Sequence, residues 1–137
     1  MLISTQRLVF VLLGLCLGAI SLWLMNQWYE NRNQEQTEQI FVYGTLQNPL
    51  IRFLTCRCIT PSEPYTVSGF RVVERDLLPA EREAVVQGQI LEVTPVELAR
   101  FDRYERAPER YVRVRASFIP SEPWVYLRRE TANSTLE

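Results

Sequence analysis

The chain has 137 residues and a formal net charge of -1, with 15 cations, 16 acids, three Cys and no His. All the cations are Arg, and Asp76 and Asp102 are the only Asp. Without His there is no Ser-His-Asp or Cys-His nucleophile, no HExxH zinc site and no CxxCH haem attachment. Without Lys there is no Schiff base, no PLP anchor and no Walker A phosphate lysine. Any proton chemistry must therefore fall to carboxylates, Tyr, Cys or backbone donors. The near-zero net charge makes no case for nucleic acid, which usually announces itself as a basic patch.

Residues Leu8 to Met25 form an uncharged, mostly apolar run. As a helix it spans roughly 27 Å, close to the hydrocarbon core of a bilayer. Arg7 precedes it, and Trp23, Trp28 and Tyr29 stand at its far end, where an aromatic belt belongs. Residues 1–25 are therefore expected to be a retained signal anchor, a single membrane pass through residues 8–25. A cleaved signal peptide fits less well, because Leu22, Trp23, Leu24 and Met25 occupy the zone of small cleavage-site residues. Flanking charges lean towards the N-terminus inside and the domain outside. Residues 26–39 are polar and read as a tether or an exposed helical extension. The folded domain is then 40–129, with a polar tail over 130–137.

Within the domain, Ile40 to Tyr43 reads as a strand ended by Gly44-Thr45. Asn48-Pro49 opens a short helix over Leu50 to Thr55. Thr66 to Val73 and Ala84 to Val93 read as strands, with Gly69 and Gly88 inside them as bulges, bends or close approaches. Pro95 to Glu105 is the best-specified helix: Thr94 is the N-cap, Pro95 is N1 and Glu97 completes a capping box. On it Glu105 lies only about 20° from Leu98, so a carboxylate projects from the apolar face at the helix end. Val112, Val114, Ala116 and Phe118 alternate with polar residues as a half-buried strand. Trp124 to Leu127 is a last short strand. Short strands with one or two small helices make the fold class α+β, with a small, strongly curved, barrel-like mixed sheet.

Two features could carry chemistry. Tyr43-Gly44-Thr45-Leu46 is a strand-to-turn segment whose consecutive amides can hold a carboxylate or an oxyanion; it can equally be a plain turn. Glu105 can have its pKa raised by burial, as suits a general acid/base; it can equally pair with Arg103, Arg106 or Arg110 at the surface. Cys56 and Cys58 lack the further ligands of a zinc site and read as inert thiols rather than a short-range disulfide.

The ordered set Phe41-Val-Tyr-Gly-Thr-Leu46, Gly69, Val86-x-Gly88, Phe101-Asp-Arg-Tyr-Glu105 and Tyr111-Val-Arg113 resembles the γ-glutamylcyclotransferase-like family across 40–127. The resemblance implies a compact mixed β-barrel and an intramolecular aminolysis. A γ-glutamyl group cyclises to 5-oxoproline and releases an amine or amino acid. It also implies Glu105 as the proton shuttle and Tyr43, Gly44, Thr45 and Leu46 as substrate-binding, with Tyr111 (and Arg113 beside it) either lining the pocket or bracing the barrel. The substrate carries its own nucleophile, so neither a metal nor a cofactor is needed. Family members often carry Gly after the catalytic acid, where this chain has Arg106. The stretch between Val73 and Ala84 is unusually charged, and the anchor is unusual for this fold. The alternative is a non-catalytic, membrane-tethered small-ligand-binding or scaffold domain of the same fold.

Overall fold

The computed structural model describes residues 5–34 and 36–135. The side chains of Arg7, Trp28, Tyr29 and Arg32, and residue Glu35, on which the expected anchor and orientation partly rest, lie outside the described residues. The chain forms two compact units, Met1–Gln36 and Thr37–Glu137.

The first unit is helix α1, Thr5–Gln34. Its segment Val9–Gln27 is long and apolar enough to cross a membrane, a test that a signal sequence also passes. Its apolar side chains are exposed, Phe10 at 75% and Leu22 at 70%. The polar residues after Met25 continue the helix to Gln34, so most of the expected tether is a helical extension. Residues 35–37 alone separate it from the first strand at Glu38.

The second unit contains β1 (Glu38–Val42), α2 (Pro49–Cys56), β2 (Ser62–Ser68), β3 (Phe70–Val73), β4 (Asp76–Pro79) and β5 (Val85–Val93). These are followed by α3 (Pro95–Glu105), β6 (Tyr111–Arg115), β7 (Trp124–Arg128) and α4 (Arg129–Thr135). The main sheet has the order β2-β5-β1-β7-β6, and β3-β4 form a separate two-stranded sheet. β1 and β7 pair in parallel; the other ladders are antiparallel. The fold is α+β as expected, but among the described residues the sheet is open and no barrel closes. Closure requires a ladder between the edges β2 and β6. The remaining strands, β3 and β4, pair with each other instead.

β1 is buried on both faces. Ile40 and Val42 join a cluster with Leu91, Leu98, Phe101 and Tyr126, whereas Phe41 joins Val67, Leu77, Val86 and Val125. That split is the two-residue period of a strand. Gly88 permits the close approach of β5 to β1: a Cβ there would lie 2.5 Å from both Phe41 Cε2 and the Val42 carbonyl oxygen. Gly69, at φ +79°, divides the expected strand over 66–73 into β2 and β3.

Several expectations are corrected. The charged stretch after Val73 contains β4, where Asp76 is only 4% exposed. Its Oδ1 accepts from the backbone N–H of Leu77 (3.1 Å) and Arg128 (3.0 Å), and the Thr131 hydroxyl donates to Oδ2. The tail forms α4, with Ala132 buried. β6 ends at Arg115 because the chain turns there, Ile119 N–H donating to Ala116 O at 3.0 Å. Cys56 and Cys58 form a disulfide rather than remaining free thiols. Arg57, between them, caps α2 in the left-handed conformation at φ 54°. The Cα separation is 5.2 Å, within the bridging range.

Candidate functional site

A cavity of about 530 Å³ opens where β1 leaves the sheet and α3 ends. Tyr43, Gly44, Thr45, Leu46, Glu105 and Tyr111 all line it. These residues are 68 positions apart at the extremes, and the central position of β1 beside β7 and β5 is what gathers them.

The loop is built from short-range bonds. After Gly44 the chain makes one 3-10 turn, Thr45–Gln47, with Gln47 N–H donating to Gly44 O and Asn48 N–H to Thr45 O, both at 3.1 Å. Asn48 then caps α2, its Oδ1 accepting from Leu50 N–H at 2.9 Å, and Pro49 starts the helix. Leu46 is 2% exposed and pins the turn to the core. Arg52 fastens it from behind: Nη1 donates to Leu46 O and Gln47 O at 3.0 Å and to Gln89 Oε1 at 2.6 Å. Arg52 is 6% exposed, and burial pulls its pKa down from the ordinary arginine value. Gly44 has φ -117° and ψ -140°, and a Cβ built on it meets nothing within 4 Å. The space on the Cβ side of this glycine is therefore open.

Glu105 is the last residue of α3. The helix begins as its sequence predicts: the Thr94 hydroxyl accepts from Glu97 N–H, and the Glu97 carboxylate from Thr94 N–H. It ends at Arg106, which is left-handed at φ 56°. Glycine adopts that conformation without a Cβ penalty, whereas Arg106 bears one. Burial raises the Glu105 pKa above the ordinary carboxylate value, and the Arg110 charge partly offsets this. Such a carboxyl can hold and release a proton nearer neutrality.

Tyrosines shape the rest. Tyr43 Oη donates to Tyr126 O at 2.7 Å, and Tyr111 Oη donates to Arg75 O at 3.3 Å. Tyr111 thus lines the cavity while tying β6 to the turn between β3 and β4. Arg113 instead braces Asp102, its Nη1 lying 2.9 Å from Oδ2. Tyr126 Oη donates to the same Asp102 at 2.6 Å. Burial first, then the Asp102 bond, push the Tyr126 pKa well up. Burial does the same for Tyr43, with the Asp76, Tyr111 and Glu105 charges adding. Both phenols therefore stay neutral donors. Tyr104 places its hydroxyl 3.2 Å from Thr45 Oγ1.

Sequence reasoning missed Arg75, Tyr104, Arg110 and Tyr126 as lining residues. Tyr104, beside Glu105, could have been found from the motif. The others depend on long-range packing. No group of three His, Cys, Asp or Glu is placed to hold a metal ion among the described residues.

The family described as "Gamma-glutamyl cyclotransferase, AIG2-like" matches residues 40–137. The chain resembles the solution structure of At5g39720.1 from Arabidopsis thaliana, with TM-score 0.53 and 26% identity, covering 77% of this chain and 78% of that one. It also resembles At3g28950.1 from the same plant, with TM-score 0.53 and 18% identity over 70% of this chain. This chain spans 64% of the length of At3g28950.1. No curated protein matches the chain. The family match runs through the loop after β1, the end of α3 and the strands that bring them together. The chain belongs to the AIG2-like gamma-glutamyl cyclotransferase family.

Proposed function

We propose that the domain cyclises a γ-glutamyl amine or peptide to 5-oxoproline. The substrate's α-amine attacks its own γ-carbonyl carbon, forming the ring C–N bond. Glu105 takes one proton from the α-ammonium and gives it to the leaving nitrogen as the original C–N bond breaks, and the second proton lost by the ring nitrogen follows to the released amine, which departs as an ammonium. The backbone of Tyr43-Gly44-Thr45-Leu46 faces the substrate carboxylate or the developing oxyanion. Proximity is built into the substrate, so the protein supplies a proton shuttle and an anion cradle. The observation that carries this reading is the shared cavity: a carboxyl with a raised pKa and an open-faced glycine loop line the same space. α1 serves as a retained single-pass anchor in this proposal, with the N-terminus inside and the domain outside.

The test offers the purified full chain a panel of γ-glutamyl amines and dipeptides and measures 5-oxoproline. Glu105→Gln should lower turnover by about 10²–10⁴-fold. Turnover that survives the substitution refutes the role of Glu105. Saturable binding without turnover supports the non-catalytic binding domain instead.

A further inference from the structure

α2 exposes the wrong side for a core helix. Leu50, Phe53 and Leu54 are 63%, 50% and 67% exposed, while Arg52 and Cys56 are its buried residues. Ile59, just past the helix, is 73% exposed, and Val96 on α3 is 58% exposed. Arginines stand beside this apolar face: Leu54, Arg57, Arg100, Arg103 and Tyr104 line one surface depression. Arg100 Nη1 donates to Cys56 O, which fixes α3 against the end of α2. The described ion pairs, Arg113–Asp102, Arg115–Glu38 and Arg128–Glu74, lie elsewhere. Exposed aliphatic and aromatic side chains flanked by cations match an anionic interface with an apolar interior.

We infer that this face of α2, with Arg57, Arg100 and Arg103, docks on the headgroup layer of an anionic phospholipid bilayer. Phe53, Leu54 and Ile59 enter the boundary of the acyl chains, and the guanidiniums pair with lipid phosphates through planar two-pronged hydrogen bonds. This use gives the all-Arg cation set a purpose at one surface. The inference rests on α1 being an anchor only for proximity. From Gln27, seven more helical residues reach roughly 10 Å, and residues 35–37 add about 10 Å when extended. So short a connection caps how far the domain can stray from an anchoring α1, whatever the angle between them. Tyr104 lines both the depression and the cavity, so a docked domain holds the cavity mouth close to the lipid surface.

The experiment places a photo-crosslinking phenylalanine analogue at position 53 of the full chain. The protein is reconstituted in nanodiscs of phosphatidylcholine, alone or mixed with phosphatidylglycerol. The same analogue at position 118 is the control. Lipid adducts at 53 should exceed those at 118 and rise with phosphatidylglycerol. They should fall about fivefold with each of Arg57→Gln, Arg100→Gln and Arg103→Gln, as expected for a basic residue near an anionic surface. High salt should have the same effect. Adducts between two protein chains, or lipid adducts indifferent to lipid charge and to the three arginines, overturn the docking surface. A chain that does not enter nanodiscs refutes the anchor and removes the proximity on which the inference rests. Entry without adducts at 53 refutes the docking surface alone.

Discussion

Two glycines make opposite demands, and alanine at each separates packing from function. In Gly88→Ala the new Cβ lies 2.5 Å from Phe41 Cε2 and from the Val42 carbonyl oxygen. Ordinary van der Waals contact begins at 3.4 Å, so about 0.9 Å must be found. The Phe41 ring cannot supply it, being 1% exposed within a packed cluster. The Val42 oxygen belongs to a strand held by β5 on one side and β7 on the other. Overpacking costs typically about 1–3 kcal/mol, and the rigid backbone partner puts this case at about 2–3 kcal/mol. For a domain near 100 residues that lowers Tm by about 10–20 °C. In Gly44→Ala the Cβ meets nothing within 4 Å. Stability should change by less than about 0.5 kcal/mol, while 5-oxoproline formation falls at least about tenfold because the methyl projects where the substrate must approach. Near-UV circular dichroism on heating and a turnover assay on the full chain read the two effects. An unchanged Tm for Gly88→Ala refutes the close approach of β5 and β1. Full activity in Gly44→Ala refutes a substrate held against this backbone.

Three further outcomes are expected. Glu105 must be ionised to accept the α-ammonium proton, so turnover should rise with pH through an apparent pKa above the ordinary glutamate value of 4.5. Its folded pKa exceeds its unfolded one, so its contribution to stability is present below the unfolded pKa and is lost as pH rises through the folded value. Glu105→Gln should therefore gain stability over wild type across that window in denaturant titrations at several pH values; a constant difference refutes the burial of the charge. Arg52→Gln leaves the Leu46, Gln47 and Gln89 oxygens short of a donor and should cost about 2–3 kcal/mol. It should also raise KM by loosening the loop; an unchanged KM in the folded variant refutes the staple. Arg106→Gly should stabilise the domain by about 0.5–1 kcal/mol in equilibrium unfolding by relieving the left-handed residue at φ 56°, and a loss of stability refutes that account.

What the sequence made legible follows the range of each signal. α3 runs over Pro95–Glu105, as read from Thr94, Pro95 and Glu97, because a capping box is complete within four residues. The short helix after Asn48 was legible for the same reason. β4 was not, because the buried Asp76 is satisfied by the Arg128 backbone N–H and the Thr131 hydroxyl, 52 and 55 positions away. The strand over 66–73 was split by one backbone angle at Gly69, which composition does not reveal. Of the cavity, the motif-bearing segments supplied Tyr43 to Leu46, Glu105 and Tyr111. Arg75, Arg110 and Tyr126 came only with the register of β6 and β7 and the packing of the β3–β4 turn. Cys56 and Cys58 paired because a left-handed Arg57 folds the chain back, again a matter of one residue's conformation.

The open sheet has a consequence for neighbouring molecules. β2 and β6 each present an outer row of backbone groups that another strand could join. β2 carries Glu63 and Pro64, and Pro64 lacks the N–H that an incoming strand would need. β6 is only five residues long and ends where the chain turns at Ala116, so it offers a second copy few outer backbone groups to join. Crowding many copies into a small area should therefore favour collisions that separate again over strands that zip into a fibril.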